Sequence, residues 1–282
     1  MQRKRLRVGA VNYLNTKPLV YGLASLAPQA DLIFDFPSRL ADDLAAGRLD
    51  VALIPTIEVF RKPTYSIVSD ACIACRGPVL SVKLFFRKPF EAVRTLALDE
   101  GSRTSVALAR ILLKERFGLD PQLERLPVDA SLEDTQADAV LLIGDRAIHS
   151  PAGNFSAVWD LGDEWCRWSE LPFVFAMWTA RGGVDLGDLE SALSEARDEG
   201  LAHLEEIAHR EAAPLGLTKP HCLTYLRDNL HFFLGEREKR GLELFHDLAV
   251  SIGLVVGPAV PARNRETLPR AAGTAGPTDN WS

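Results

Sequence analysis

Short, unbroken apolar runs set between helical patterns constrain this chain most. Leu6 to Val11 and Val51 to Ile54 read as strands without polar alternation, and each leads into a helix signal. A strand that is apolar on both sides must be covered on both sides, the condition of a parallel sheet flanked by helices. The first run stops abruptly at Asn12 and Asn15, and the sequence predicts a helix over Thr16 to Leu26. Asn15 or Thr16 is its expected cap, with Pro18 in the first turn, where a missing N–H costs nothing.

The alternation continues along the chain. A strand is predicted over Asp31 to Phe36, then a helix over Ser38 to Ala46, capped by Ser38 and stopped by Gly47. A short helix follows Pro55. Ser66 to Val68, Cys72 to Ala74 and Leu80 to Phe86 read as further strands. The βα rhythm restarts at Thr95 to Leu98, with a helix from Ser102 to Phe117 and strands at Gln122 to Leu126 and Ala139 to Ile143. An apolar strand returns over Phe173 to Thr179. Helices are expected at Leu186 to Ala212, Cys222 to Leu234 and Glu238 to Ile252. One βα run nested inside another predicts an α/β protein of two lobes joined by two crossings, near Phe86 to Glu91 and Phe173 to Ala180. The expected first lobe is 1–90 plus 178–256, the second 91–177, and the aperiodic 257–282 a disordered tail. A cleft between lobes is a common small-molecule site.

The net charge of -6 argues against a bulk grip on nucleic acid. A helix N-terminus can still hold a small anion. The basic start, Met1 to Arg7, is not followed by the apolar run of about 7 to 15 residues that a secretory signal needs. No apolar segment approaches the ~20 residues of a membrane span. The expectation is therefore a soluble, cytoplasmic protein without nucleic-acid or membrane partners; its oligomeric state is open. Cys72 and Cys75 form a CxxC, but with no second Cys or His pair beside it they read as small apolar residues in a buried strand. No GxSxG, Walker-type or GxGxxG motif is present, and the six histidines lack metal-ligand spacing, which argues against triad hydrolases, P-loop enzymes and NAD dehydrogenases.

Four polar clusters fall at strand ends, where open α/β sheets bind ligands. They are Asn12 with Asn15; Arg76 to Ser81; Gly101 to Ser105; and Gly144 with Asp145. The third has the clearest meaning. A helix N-terminus leaves amides without intrahelical partners and carries positive potential. Ser102, Thr104 and Ser105 add hydroxyls there, and Arg103 a guanidinium, which together suit a carboxylate or phosphate. Asp145 suits a cation, a ligand hydroxyl or a plain cap. Glu58 reads as an acid/base candidate or a solvated charge.

Asn12-Tyr-Leu-Asn-Thr-Lys-Pro-Leu19, Leu49-Asp-Val-Ala-Leu-Ile-Pro-Thr-Ile-Glu58, Gly77-Pro-Val-Leu-Ser-Val82 and Ser102-Arg-Thr-Ser-Val-Ala-Leu108 resemble, in order and spacing, the chorismate dehydratases of the futalosine route to menaquinone, the MqnA family. The resemblance covers residues 6 to 255. It implies a type II periplasmic-binding-protein fold with a central cleft, and loss of water from chorismate to give 3-[(1-carboxyvinyl)oxy]benzoate, a reaction that requires no metal or organic cofactor. It places the family's catalytic asparagine and serine on Asn15 and Ser81. It places substrate contacts on the Ser102–Ser105 loop; Asn12, Gly144 and Asp145 are added from their positions at strand ends. The alternatives are the lyase of the same pathway that makes 1,4-dihydroxy-6-naphthoate, a non-catalytic small-acid binding protein and a transcription-factor effector domain.

Overall fold

The computed structural model describes residues 5–149 and 153–257. In chain order the strands are β1 (Leu6–Val11), β2 (Ala30–Asp35), β3 (Val51–Pro55), β4 (Tyr65–Cys75), β5 (Val82–Phe86), β6 (Thr95–Asp99), β7 (Gln122–Leu126), β8 (Ala139–Ile143), β9 (Ala157–Asp160), β10 (Phe173–Arg181) and β11 (His231–Phe233). They form two sheets, ordered β11-β4-β10-β3-β1-β2 and β7-β6-β8-β5-β9. Parallel pairing of β1 with β2 and β3, and of β6 with β7 and β8, makes the core of each. Antiparallel strands complete them: β4, β10 and β11 in the first, β5 and β9 in the second. Two lobes result, and one apolar core runs between them.

The chain changes sheets over 76–81 and again over 170–172, not where the sequence set the crossings. β5 pairs with β8 and β9 and so belongs to the second lobe, which the expected boundary at residue 90 denied it. β10 pairs with β3 and β4 and lies wholly in the first lobe, so a boundary at 177 cuts it in two. Both strands are mostly apolar, and their composition does not say which sheet they join.

Local departures have local causes. The predicted 16–26 helix is a 3₁₀ helix, Leu14–Val20, followed by a short α-helix, Leu23–Leu26. Pro18 lies inside the first, and Gly22, at φ 68°, separates the two. Neither Asn15 nor Thr16 caps: Tyr13 holds the N-cap position, and Asn15 sits within the turn. Phe36, not Ser38, precedes the Pro37–Ala45 helix, because Pro37 takes its first position; the Ser38 amide bonds the Gly101 carbonyl instead. The long helix expected after Leu186 breaks at His203 into Leu189–Ala202 and Leu204–Glu211. The segment predicted helical to Leu234 ends in β11, which pairs with β4. β9 and the helix Leu161–Ser169 were absent from the sequence reading. Cys72 and Cys75 are buried thiols of β4, as expected. The predicted disordered tail lies outside the described residues, apart from Gly257. No described helix is long and apolar enough to cross a membrane.

Candidate active site

A recess opens where the two lobes meet, a common place for a small-molecule site. Its polar side chains are Tyr13 and Asn15 from the turn after β1, Ser81 from the first crossing, and Ser102 and Ser105 from the start of the helix Arg103–Phe117. Gly144, after β8, supplies backbone. Val79, Phe175 and Ala176 are among the apolar walls. Five predicted site residues thus meet in one hollow, although they lie up to 129 positions apart, from Asn15 to Gly144.

The Ser81 turn is strained and braced. Leu80 sits at φ 59°, a left-handed conformation that costs a leucine ~1–2 kcal/mol. Asp160, at the end of β9, holds it there. Its carboxylate accepts the Val79 amide at 2.9 Å and the Leu80 amide at 2.6 Å. It also accepts the Gly162 and Asp163 amides at 3.0 and 3.1 Å. Desolvation still raises the Asp160 carboxyl above the usual range, while these amides pull it back. The Ser81 amide then bonds the Val79 carbonyl at 2.7 Å, and the Ser81 carbonyl accepts the Gly144 amide at 2.9 Å. Four backbone donors on one carboxylate thus fix where the Ser81 side chain enters the recess.

At the helix start the four polar residues divide. The Ser102 hydroxyl accepts the Ser105 amide at 3.3 Å and lies 3.1 Å from the Ser105 hydroxyl. This leaves both hydroxyls at a terminus whose dipole favours negative charge. Thr104 turns away: its hydroxyl accepts the Ile57 amide at 3.2 Å and ties the lobes together. Arg103 also turns away. Its Nη2 donates to both Asp42 oxygens at 2.8 and 2.9 Å, and Glu58 stands 3.5 Å from Nη1. Arg76 is held by Glu238 at 2.9 Å. Neither arginine lines the recess.

Behind the loop, the fully buried Asp99 accepts the Gly101 amide at 2.9 Å and the Ile143 amide at 3.1 Å. It is paired with Arg146. Burial raises the Asp99 carboxyl, opposed by Arg146.

The β1 turn reaches across to the second lobe. Asp145 accepts the Leu14 amide at 3.0 Å, so it acts as a tie between lobes and is not among the recess residues. Burial pushes its carboxyl up to about 6. The Tyr13 ring lies over Gly144, where a Cβ would stand 2.7 Å from it. Burial and Asp99 push the Tyr13 phenol far above its usual range, so it stays neutral. Asn12 is exposed, and its amide bonds the Asp35 carbonyl at 3.1 Å, so its side chain is outside the recess. Asn15 Oδ1 accepts the Thr16 hydroxyl at 3.3 Å. Glu58 is paired with Arg61 at 2.6 Å. Among the described residues no cluster of three or more His, Cys, Asp or Glu is arranged to hold a metal.

Sequence reasoning missed three contributors. Tyr13 stood in plain view between the two asparagines. Asp160 belongs to a strand and helix that were not read at all. Tyr225, whose phenol faces Asn15 and Ser81, lay in what reads as an ordinary apolar helix face.

The sequence model of the family described as "Menaquinone biosynthesis" matches residues 6–251. A chorismate dehydratase of Thermus thermophilus is 33% identical over 270 residues, which covers 89% of this chain and 96% of that protein. A chorismate dehydratase of Campylobacter jejuni is 30% identical over 174 residues, covering 60% and 64%. Among solved structures, protein AF1704 of Archaeoglobus fulgidus superimposes with a TM-score of 0.71 at 15% identity, over 90% of this chain and 100% of that one. The periplasmic aliphatic sulphonate binding protein SsuA of Escherichia coli does so with a TM-score of 0.58 at 18% identity, over 93% and 96%. The architecture is thus that of the periplasmic-binding-protein fold.

Proposed function

The chain belongs to the menaquinone biosynthesis family, and we propose that it is a chorismate dehydratase, a hydro-lyase working in the cytoplasm on a small dianionic substrate. The observation that carries the site reading is the recess itself. It gathers neutral donors, Asn15, Ser81, Ser102 and Ser105, and no carboxylate, histidine, lysine or arginine among its described lining residues.

That composition suits this reaction. The C3–H electrons of chorismate become the new ring π bond. The C4–O bond breaks, its electrons leaving as hydroxide, and the proton from C3 completes the water. Negative charge develops through the diene into the ring carboxylate before the ring becomes aromatic. Donors at the Ser102 and Ser105 helix end stabilise that charge without titrating. With no ionisable base in the lining other than a neutral Tyr13, the enolpyruvyl carboxylate of the substrate takes the proton. Asn15 and Ser81 hold the reacting groups in line.

The test is direct. Purified protein is incubated with chorismate and the mixture followed by mass spectrometry for the dehydrated aromatic acid. Unchanged chorismate after long incubation would sink the proposal and favour a non-catalytic binding protein; 1,4-dihydroxy-6-naphthoate formed from its own precursor would favour the other lyase of the pathway.

A further inference from the structure

Tyr225 is fully buried, and its hydroxyl closes no hydrogen bond in the structure. A buried hydroxyl left open costs stability and calls for an explanation. The groups facing it are the side chains of Ser81 and Asn15. Tyr225 is not among the recess residues; it stands behind that pair. It opens a π turn, Tyr225–Asn229, and such turns are frequent at functional sites. The far end of this turn is anchored too. Asn229 Nδ2 donates to the Pro78 carbonyl at 2.9 Å, in the segment that displays Ser81. The extra residue of the turn thus holds the phenol against the segment carrying Ser81.

We infer that Tyr225 is a positioning residue for the reaction proposed above, its hydroxyl linking Asn15 to Ser81 and setting which way their polar groups turn. The inference rests on that reading of function. A serine hydroxyl rotates freely and a carboxamide can flip. Asn15 Oδ1 is occupied by the Thr16 hydroxyl, so its N–H groups remain. One N–H donates to the Tyr225 oxygen and the other enters the recess. The phenol O–H donates to Ser81 Oγ, which leaves the Ser81 O–H to point at substrate. Three donors aligned in series polarise one another. Burial pushes the phenol far above its usual range, so the link stays intact at any working pH.

The test is Tyr225→Phe, which removes one oxygen and keeps the ring. We expect kcat to fall about 10- to 100-fold with KM within about threefold. In a Ser81→Ala background the same change is expected to cost several-fold less than in the parent, because the part of its effect that passes through Ser81 is already lost. The melting temperature is measured alongside; a fall in kcat much larger than the loss of stability can explain is the signature of positioning. Asn229→Ala, which frees the π turn from Pro78, is expected to lower kcat in the same direction by a smaller factor. Unchanged kcat in Tyr225→Phe, or losses that multiply independently in the Ser81→Ala background, overturn the inference while the parent enzyme remains a dehydratase. A parent protein that leaves chorismate untouched overturns the functional reading, and this inference with it.

Discussion

The amide of Leu14 and the carboxylate of Asp145 meet at 3.0 Å across the two lobes, so one hydrogen bond ties the β1 turn to the end of β8. Asp145 keeps this bond at the expense of desolvation, which pushes its carboxyl from 3.8 up to about 6. The folded state therefore binds the proton more tightly than the unfolded state does. The favourable contribution is full below the unfolded value and is lost as pH rises through the folded one. Asp145→Asn keeps an acceptor for Leu14 and removes the charge. Its melting temperature should exceed that of the parent at pH 7 to 8, by an amount equivalent to at most about 3 kcal/mol. The gap should shrink as pH falls below about 5. Thermal melts across pH check it; a gap that widens in acid would contradict this account.

Asn15→Ala and Ser81→Ala should each lower kcat about 100-fold or more, with KM within a few-fold of the parent, as removal of a donor used mainly in the transition state does. Steady-state kinetics on chorismate separate this from a binding role, in which KM would rise and kcat hold.

Arg103 is occupied by Asp42 and Glu58. Arg103→Ala should leave KM within about threefold of the parent, since an exposed ion pair contributes at most about 1 kcal/mol. A tenfold rise in KM would return Arg103 to the substrate contacts the sequence suggested.

Asp160 serves four backbone amides, two of them in the turn before Ser81. Asp160→Asn offers one acceptor oxygen and turns an NH₂ toward donors. We expect a loss of about 2–4 kcal/mol in stability, read by urea unfolding. The surviving folded protein should also turn over more slowly, because the Leu80 conformation at φ 59° loses its brace.

Gly144 adopts φ 72° with ψ -158°, a region open to glycine, and its Cα lies under the Tyr13 ring. Gly144→Ala should disturb both the backbone and the approach of the lobes. We expect KM to rise about tenfold or more and stability to fall by ~1–3 kcal/mol. Adding Tyr13→Ala gives the methyl room and should recover only part of the loss, because the backbone cost remains.

Most of the elements are legible in local patterns of residues. Apolar runs without alternation can only be strands covered on both faces, and small polar residues at their ends mark where ligands meet an α/β sheet. The βα units of both lobes, the helix start at Ser102 and five residues of the recess were legible on those grounds. So was the family, because its motifs keep their order and spacing over most of the chain.

Tertiary structure alone decided the rest. Thr104 and Ser105 are neighbours in one first turn of helix, yet Ser105 lines the recess and Thr104 holds the Ile57 amide, because successive helical residues point in different directions. Arg103 is drawn outward by Asp42, 61 positions away. β5 and β10 carry the same apolar character, and only their hydrogen-bonding partners assign one to each lobe. Tyr225 and Asp160 act on Ser81 from 144 and 79 positions further along the chain. Periodicity and capping are local properties, written in neighbouring residues. Which side chain completes a distant hydrogen bond depends on how whole elements pack, and no local pattern records it.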